Sequence, residues 1–296
     1  MTGMHVECVT NQGSRVVNED SFYVGDRIAV VIDGASGLSP NSHFAGAGVS
    51  GVSSGPEDSL EASTDAHWFA RSIVRHLPAA LHGGLDLSAA MQHTLAAVRD
   101  SVSHIDFRAL QAFEQPSAAV AVVRWNAREV EYLAMGDCFI ALQNGEGPVE
   151  VVTDDRIARF DALAIDAVTS LQREESLTLT EAKQRVLPIL QANRSKMNQP
   201  NGYPILSLDG QGLADAKTGV YARGDFETKV LLCSDGFART VDVFQVQTWE
   251  QLLRPEVGLH GVLQDLRRME QGDAQCSEFP RLKAHDDATA VLITLP

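Results

Sequence analysis

The run AAVAVVRW at residues 118–125 is followed by Asn126-Ala127-Arg128, then EVEYLAM at 129–135, then Gly136-Asp137 and CFIALQ at 138–143. Two or three apolar strands succeed one another here with only those short breaks between them. Strands joined so tightly pair antiparallel, because a parallel neighbour requires a crossover of roughly a dozen residues. The pattern excludes a doubly wound parallel sheet.

Outward from this segment, residues 28–33 (IAVVID), 229–234 (KVLLCS) and 288–295 (ATAVLITL) are short apolar runs of the kind that form buried strands. Helical spacing appears at Leu87, Met91, Leu95, Val98, Val102 and Ile105, with Ser88 available as a cap, and before it at Trp68, Phe69, Ile73, Leu77 and Leu81. Residues 156–172 carry Ile157, Phe160, Leu163, Val168 and Leu171. Thr178 and Glu181 have the spacing of a capping box that opens the next helix, and a last helix with Leu259, Val262, Leu263, Leu266 and Met269 precedes the final strand. This order predicts a single α+β domain over residues 1–296, with helices on the outer faces of antiparallel sheets. The Gly-, Ser- and Pro-rich stretch 37–64 reads as a long surface loop rather than a linker, since strands of the same sheets lie on both sides.

Composition narrows the function. The formal charge is −15, from 24 Lys and Arg against 39 Asp and Glu. Without a basic run to neutralise a phosphate backbone, nucleic acid is not an expected partner. Cys8, Cys138, Cys233 and Cys276 are widely separated and have no zinc-ligand spacing, which fits free thiols in a reducing compartment. No segment has the length and apolarity of a bilayer span and the N-terminus has no signal-like pattern, so the expectation is a cytoplasmic protein without a membrane partner.

Acidic residues recur where apolar runs end. Asp33-Gly34 closes the run from 28, Gly136-Asp137 follows Leu133-Ala134-Met135, Ser234-Asp235-Gly236 closes the run from 229, and Asp286-Asp287 precedes the final strand. Rigid strand ends hold hard oxygen ligands in fixed geometry, although a lone Asp-Gly is most often a turn. The combination gains weight from Arg15-Val16-Val17-Asn18-Glu19-Asp20 near the N-terminus.

In this order, Arg-x-x-Asn-Glu-Asp, Asp-Gly, Gly-Asp, Ser-Asp-Gly and Asp-Asp-x-Thr resemble the signatures of the protein phosphatase 2C family, over roughly residues 5 to 295. The resemblance implies a four-layer α-β-β-α sandwich of two antiparallel sheets flanked by helices, with metals in a cleft at one end. It implies that Asp33 bridges two metals, the Gly34 carbonyl binds one of them, and Asp235 and Asp286 complete the other. Glu19 and Asp20 would hold waters around the second metal, Asp137 would join Asp235 at a third, weaker site, and Arg15 would grip the substrate phosphate. The implied activity is removal of phosphate from serine or threonine in a phosphoprotein, a substrate that could also bring a cognate kinase as partner. A catalytically inactive binding module and a phosphatase for small phosphate esters are the alternatives.

The residue types suit that chemistry independently. Carboxylates, a carbonyl and waters are ligands for Mn²⁺ or Mg²⁺, and clustered His and Cys are absent. Paired ions acidify a shared water enough to yield hydroxide at neutral pH for in-line attack on phosphorus, while an arginine fork binds phosphate oxygens. The chain departs from the usual motifs at Ala35, which cannot donate a proton. His43, His285 and water are alternative proton donors on position alone. Cys138 and Phe139 replace the usual Ser-Arg after Gly-Asp, and Asp287 is expected to orient Asp286. The region about 154–215, with Asn198–Tyr203, is expected to form a flap that shapes substrate choice. Gly46-Ala47-Gly48-Val49-Ser50-Gly51 matches a dinucleotide fingerprint only in letters, because Ser53-Ser54-Gly55-Pro56 replaces the required helix.

Overall fold

The computed structural model describes residues 3–35, 37–39, 41–44 and 64–296. Most of the 37–64 loop, including the dinucleotide-like glycines, lies outside the described residues. The strands are β1 (His5–Asn11), β2 (Asp20–Val24), β3 (Ile28–Ala35), β4 (Ser117–Trp125), β5 (Glu129–Met135), β6 (Phe139–Asn144), β7 (Glu150–Val152), β8 (Leu206–Ser207), β9 (Lys217–Ala222), β10 (Thr228–Cys233) and β11 (Ala288–Leu295). One sheet has the order β1-β11-β10-β6-β7 and the other β2-β3-β4-β5-β9, with β8 added beside β4. Every strand pairing within these sheets is antiparallel. Of the hairpins expected between 118 and 143, β4-β5 forms, paired from Val120↔Met135 to Trp125↔Val130, whereas the Gly136-Asp137 turn sends β6 into the opposite sheet, where it pairs antiparallel with β10 and β7 instead of β5.

Burial explains why these strands are continuously apolar. On β3, Ala29 and Val31 join Ala121 and Val123 of β4 against Val230, Leu232, Val291 and Ile293, filling the space between the sheets. The alternate residues Ile28, Val30 and Ile32 face away and pack on the helices α1 (Asp65–His82) and α2 (Leu87–Ser101). On the other sheet, Leu231, Cys233, Ala290 and Leu292 face α5 (Asp235–Ala238), α6 (Trp249–Leu252) and α7 (Leu259–Gly272). A strand covered on both faces loses the polar alternation of a half-exposed one. The result is the expected helix-sheet-sheet-helix layering.

The remaining pair, α3 (Ala158–Glu175) and α4 (Leu179–Arg194), packs through Val168, Leu179, Ala182 and Val186 around Cys276. Thr178 and Glu181 form the capping box expected at the start of α4. The α2 cap is Asp86, whose side chain accepts from the Ala89 N–H, rather than Ser88. Ser88 already lies inside the first turn, and an N-cap must precede it. No helix among the described residues is long and apolar enough to cross a membrane.

Candidate active site

The two sheets end in carboxylates. Asp33 continues the side of β3 that carries Ala29 and Val31 toward the opposing sheet, and its Cα partner across the ladder is Asp20 of β2. From the facing sheet, β10 delivers Ser234 and Asp235 immediately after Cys233. Asp33, in one sheet, and Asp235, which opens α5 just after a strand of the other, come within hydrogen-bonding reach of each other. Burial first, then the charges of Asp20, Asp235 and Asp137, push the Asp33 carboxyl well above its ordinary range.

Close backbone approach makes the meeting possible. A Cβ on Gly236 would lie 1.9 Å from the Asp287 carbonyl oxygen, and one on Gly34 would lie 2.6 Å from that of Glu19. Both glycines of the Asp-Gly pairs are thus required by contact, at positions where the chain segments converge.

Asp287 meets Asp286 through its backbone N–H, which donates to Asp286 Oδ1 at 3.1 Å, while its side chain turns elsewhere. Its two oxygens accept the N–H groups of Gly13 at 2.6 Å and Glu19 at 2.7 Å, so it pins the N-terminal motif to the end of β11. Glu19 is buried, accepts the Thr64 hydroxyl at 2.6 Å and lies 3.5 Å from the Arg15 guanidinium, which is 43% exposed on its side chain. Asp20 is also buried. Its Oδ2 accepts the Ser234 hydroxyl at 2.8 Å, while Oδ1, near Thr289, makes no hydrogen bond of normal geometry. Burial pushes its carboxyl up to about 8, against the opposing effect of those hydroxyls.

Asp286 has a different environment. Lys283 Nζ donates to Oδ1 at 2.6 Å and Arg239 Nη2 to Oδ2 at 2.6 Å. Burial would raise its carboxyl, but these two cations overcome burial and hold it below the ordinary value. Arg239 also donates to Glu270 at 3.1 Å, and Glu270 accepts Arg267 at 2.5 Å, forming a buried chain of alternating charge. The loop that carries Lys283 is fixed by Asp273, which accepts the N–H groups of Ser277, Glu278 and Phe279 and pairs with Arg281 at 2.7 Å.

Asp137 joins the same electrostatic cluster, its carboxyl raised by burial and then by Asp235 and Asp161. Asp161 of α3 is raised to about 6 by burial and Asp235, and Asp242 likewise to about 6. Arg194, at the end of α4, donates to the Ala35 carbonyl at 2.7 Å and keeps a buried Nε without a partner. Asp161, Arg194, Arg239 and Lys283 were absent from the sequence reading. His43 lies 3.8 Å from Glu114, and His285 exchanges backbone hydrogen bonds with the Ser14 hydroxyl. Cys138 is fully buried, and burial followed by the nearby carboxylates pushes its thiol up, which disfavours a reactive thiolate. A groove of about 680 Å³ lined by Tyr132, Arg156, Asp215 and Lys217 shares no residue with the cluster.

Among the described residues no three His, Cys, Asp or Glu side chains close into a complete ligand set. The donors that fit a divalent cation are those to which no described basic side chain bonds: Asp33 and Asp235 in mutual contact, with the unpartnered Asp20 oxygen on the adjoining strand. Their chemistry is all oxygen, which suits Mg²⁺ or Mn²⁺.

The family model of protein phosphatase 2C matches residues 11–269, a span that includes Asp20, Asp33, Asp137 and Asp235 and ends before Glu270, the Asp273–Lys283 loop, Asp286-Asp287 and β11. The chain belongs to the protein phosphatase 2C family. Its fold is also that of solved members. The serine/threonine phosphatase PstP of Mycobacterium tuberculosis is similar with a TM-score of 0.56 at 19% identity, covering 99% of this chain and 98% of that one. A catalytic domain of PstP in complex with two manganese ions gives 0.54 at 17% identity, covering 99% of each chain. Stp1 of Staphylococcus aureus gives 0.55 at 12% identity, covering 100% of this chain and 96% of that one. A comparison with curated protein sequences found no match.

Proposed function

We propose that this phosphatase 2C chain hydrolyses phosphoserine or phosphothreonine in proteins, with divalent cation held by Asp33 and Asp235. The observation that carries the reading is the contact between those two carboxylates across the two sheets, beside a buried Asp20 oxygen that lacks a partner. Half-buried carboxylates in contact, with a buried one beside them, call for a cation. The Gly34 carbonyl, and Glu19, Asp20 and Asp137 through water, are the further groups that would complete the coordination. Bound Mn²⁺ or Mg²⁺ supplies neutralisation of phosphate charge and acidification of the attacking water.

The chain's own residues do the rest. Arg15, exposed and tethered to buried Glu19, is placed to bind phosphate oxygens with its guanidinium fork. Asp287 holds the Arg15–Asp20 segment through the Gly13 and Glu19 amides, so the phosphate-binding group and Asp20 keep a fixed position relative to Asp235. The region about 154–215, which brings Asp161 and Arg194 near the cluster, is the flap that would select the protein substrate.

A second reading, a phosphatase-fold module that binds a partner without turnover, gains support from Asp286, whose two oxygens are already engaged by Lys283 and Arg239. Hydrolysis of a phosphothreonine peptide with Mn²⁺, Mg²⁺ or EDTA, alongside Asp235→Asn, separates the two. Metal-dependent turnover lost in the variant supports the enzyme. Absence of turnover in the wild type on both this peptide and an aryl phosphate would leave the binding module.

A further inference from the structure

Lys283 lies among the carboxylates as a cation would. Its ammonium is 2.6 Å from Asp286, and burial, which disfavours its charge, is outweighed by Asp286, Asp235 and Asp33, which hold it protonated more firmly than an ordinary lysine. The same ammonium lowers the carboxyls of Asp137, Asp161 and Asp287 against the burial that raises them. Arg239, the other cation on Asp286, is already balanced on its far side by Glu270.

The lysine is built into this position. Asp273 caps the loop through three backbone N–H groups, and Arg281 locks it by pairing with Asp273 and donating to the carbonyls of Phe279 and Ala284. Arg281 is itself buried against the Phe244 ring at 5.2 Å. Lys283 follows two residues later, and Asp286 is three residues beyond it. The loop therefore presents the ammonium and its carboxylate as one unit.

We propose that the Lys283 ammonium takes the place of one divalent cation, binding Asp286 and balancing the carboxylate cluster, so that this chain holds a single metal centred on Asp33 and Asp235. An ammonium supplies three N–H donors to carboxylate oxygens, as a cation supplies coordination positions. Charge repulsion disfavours a further divalent ion beside it, and a lysine offers no coordinated water, so all water activation falls to the remaining metal. The inference rests on the metal-site reading above and adds its stoichiometry and the residue that sets it.

The test is calorimetric titration of EDTA-stripped protein with MnCl₂, with bound manganese counted by elemental analysis after desalting, for wild type, Lys283→Met and Lys283→Arg. The wild type and Lys283→Arg are expected to take up one ion, and Lys283→Met a second. Thermal melting supplies an independent reading: stripped Lys283→Met melts below the wild type and gains more from Mn²⁺, and if it is unfolded without metal, its refolding on titration reports the same coupling. Two ions in the wild type, with no change in Lys283→Met, would overturn the inference and leave the metallophosphatase reading intact. No manganese bound by any of the three proteins would remove the metal site itself and this inference with it.

Discussion

Asp273→Ala tests whether the loop before β11 is held by one carboxylate. Asp273 accepts the N–H groups of Ser277 at 2.8 Å, Glu278 at 3.2 Å and Phe279 at 3.0 Å, and pairs with Arg281 at 2.7 Å. The two side chains are 4% and 3% exposed, so removal of the acid leaves a guanidinium buried without its counter-charge. Breaking a buried pair in this way costs about 3–5 kcal/mol, and at about 2 °C per kcal/mol for a large domain the melting temperature should fall by about 6–10 °C. Burial alone would raise the Asp273 carboxyl, but the Phe279, Glu278 and Ser277 N–H groups and Arg281 hold it below the ordinary value. A carboxyl depressed in the folded state contributes stability that is complete above the unfolded value of about 3.9 and is lost as pH falls through the lower folded value. Urea titrations of wild type and variant should therefore differ by a constant amount near neutrality and converge in acid. A difference under about 1 kcal/mol at neutral pH, or one that grows as pH is lowered, would refute the assignment of this role to Asp273.

Other substitutions probe the joins between segments. Gly236→Ala places a Cβ against the Asp287 carbonyl at 1.9 Å, and the forced displacement should cost more than about 2 kcal/mol in a urea melt and abolish metal-dependent phosphatase turnover. Asp287→Asn keeps an acceptor for only one of the Gly13 and Glu19 amides. A loss of about 1–3 kcal/mol is expected by denaturation, together with weaker binding of inorganic phosphate. Thr178→Ala removes the hydroxyl that accepts from the Glu181 N–H at 3.3 Å. It should cost about 0.5–2 kcal/mol while leaving hydrolysis of a small aryl phosphate unchanged, because the cap lies at the opposite end of α4 from Arg194.

The layering was legible in sequence because strands covered on both faces are apolar without interruption, as β3, β4, β10 and β11 are. The same property located Asp33, Asp137 and Asp235, since a carboxylate that ends such a run marks the mouth of the sandwich. Edge strands such as β9, with its largely exposed Lys217–Ala222, have no comparable pattern. Asp86 was hidden as a cap because Ser88, two residues later, offered an equally suitable side chain within the helix itself. Lys283 and Arg239 were hidden for another reason. Arg239 bonds to Asp286 47 residues away, and although Lys283 is only three residues from Asp286, no local spacing rule reports which surface-type residues a loop carries inward.

The cations bear on how the acidic mouth can exist in the folded chain at all. Asp33, Asp137, Asp235 and Asp20 are brought together by pairings within and between two sheets whose apolar cores close only when the strand ends meet. The hydrophobic gain of that closure is spread over many residues, whereas the electrostatic cost is concentrated at the ends. Lys283 and Arg239 reduce that cost at Asp286, and Arg194 brings a guanidinium from the end of α4 to the Ala35 carbonyl beside Asp33 and Gly34. Among the described residues, no basic side chain bonds directly to Asp33 or Asp235, which lie in mutual contact with the spare oxygen of Asp20 beside them. The carboxylates that no basic side chain bonds to are thus also those at which metal chemistry would have to occur, so the protein's own positive charges direct where an ion binds as well as stabilising the fold that binds it.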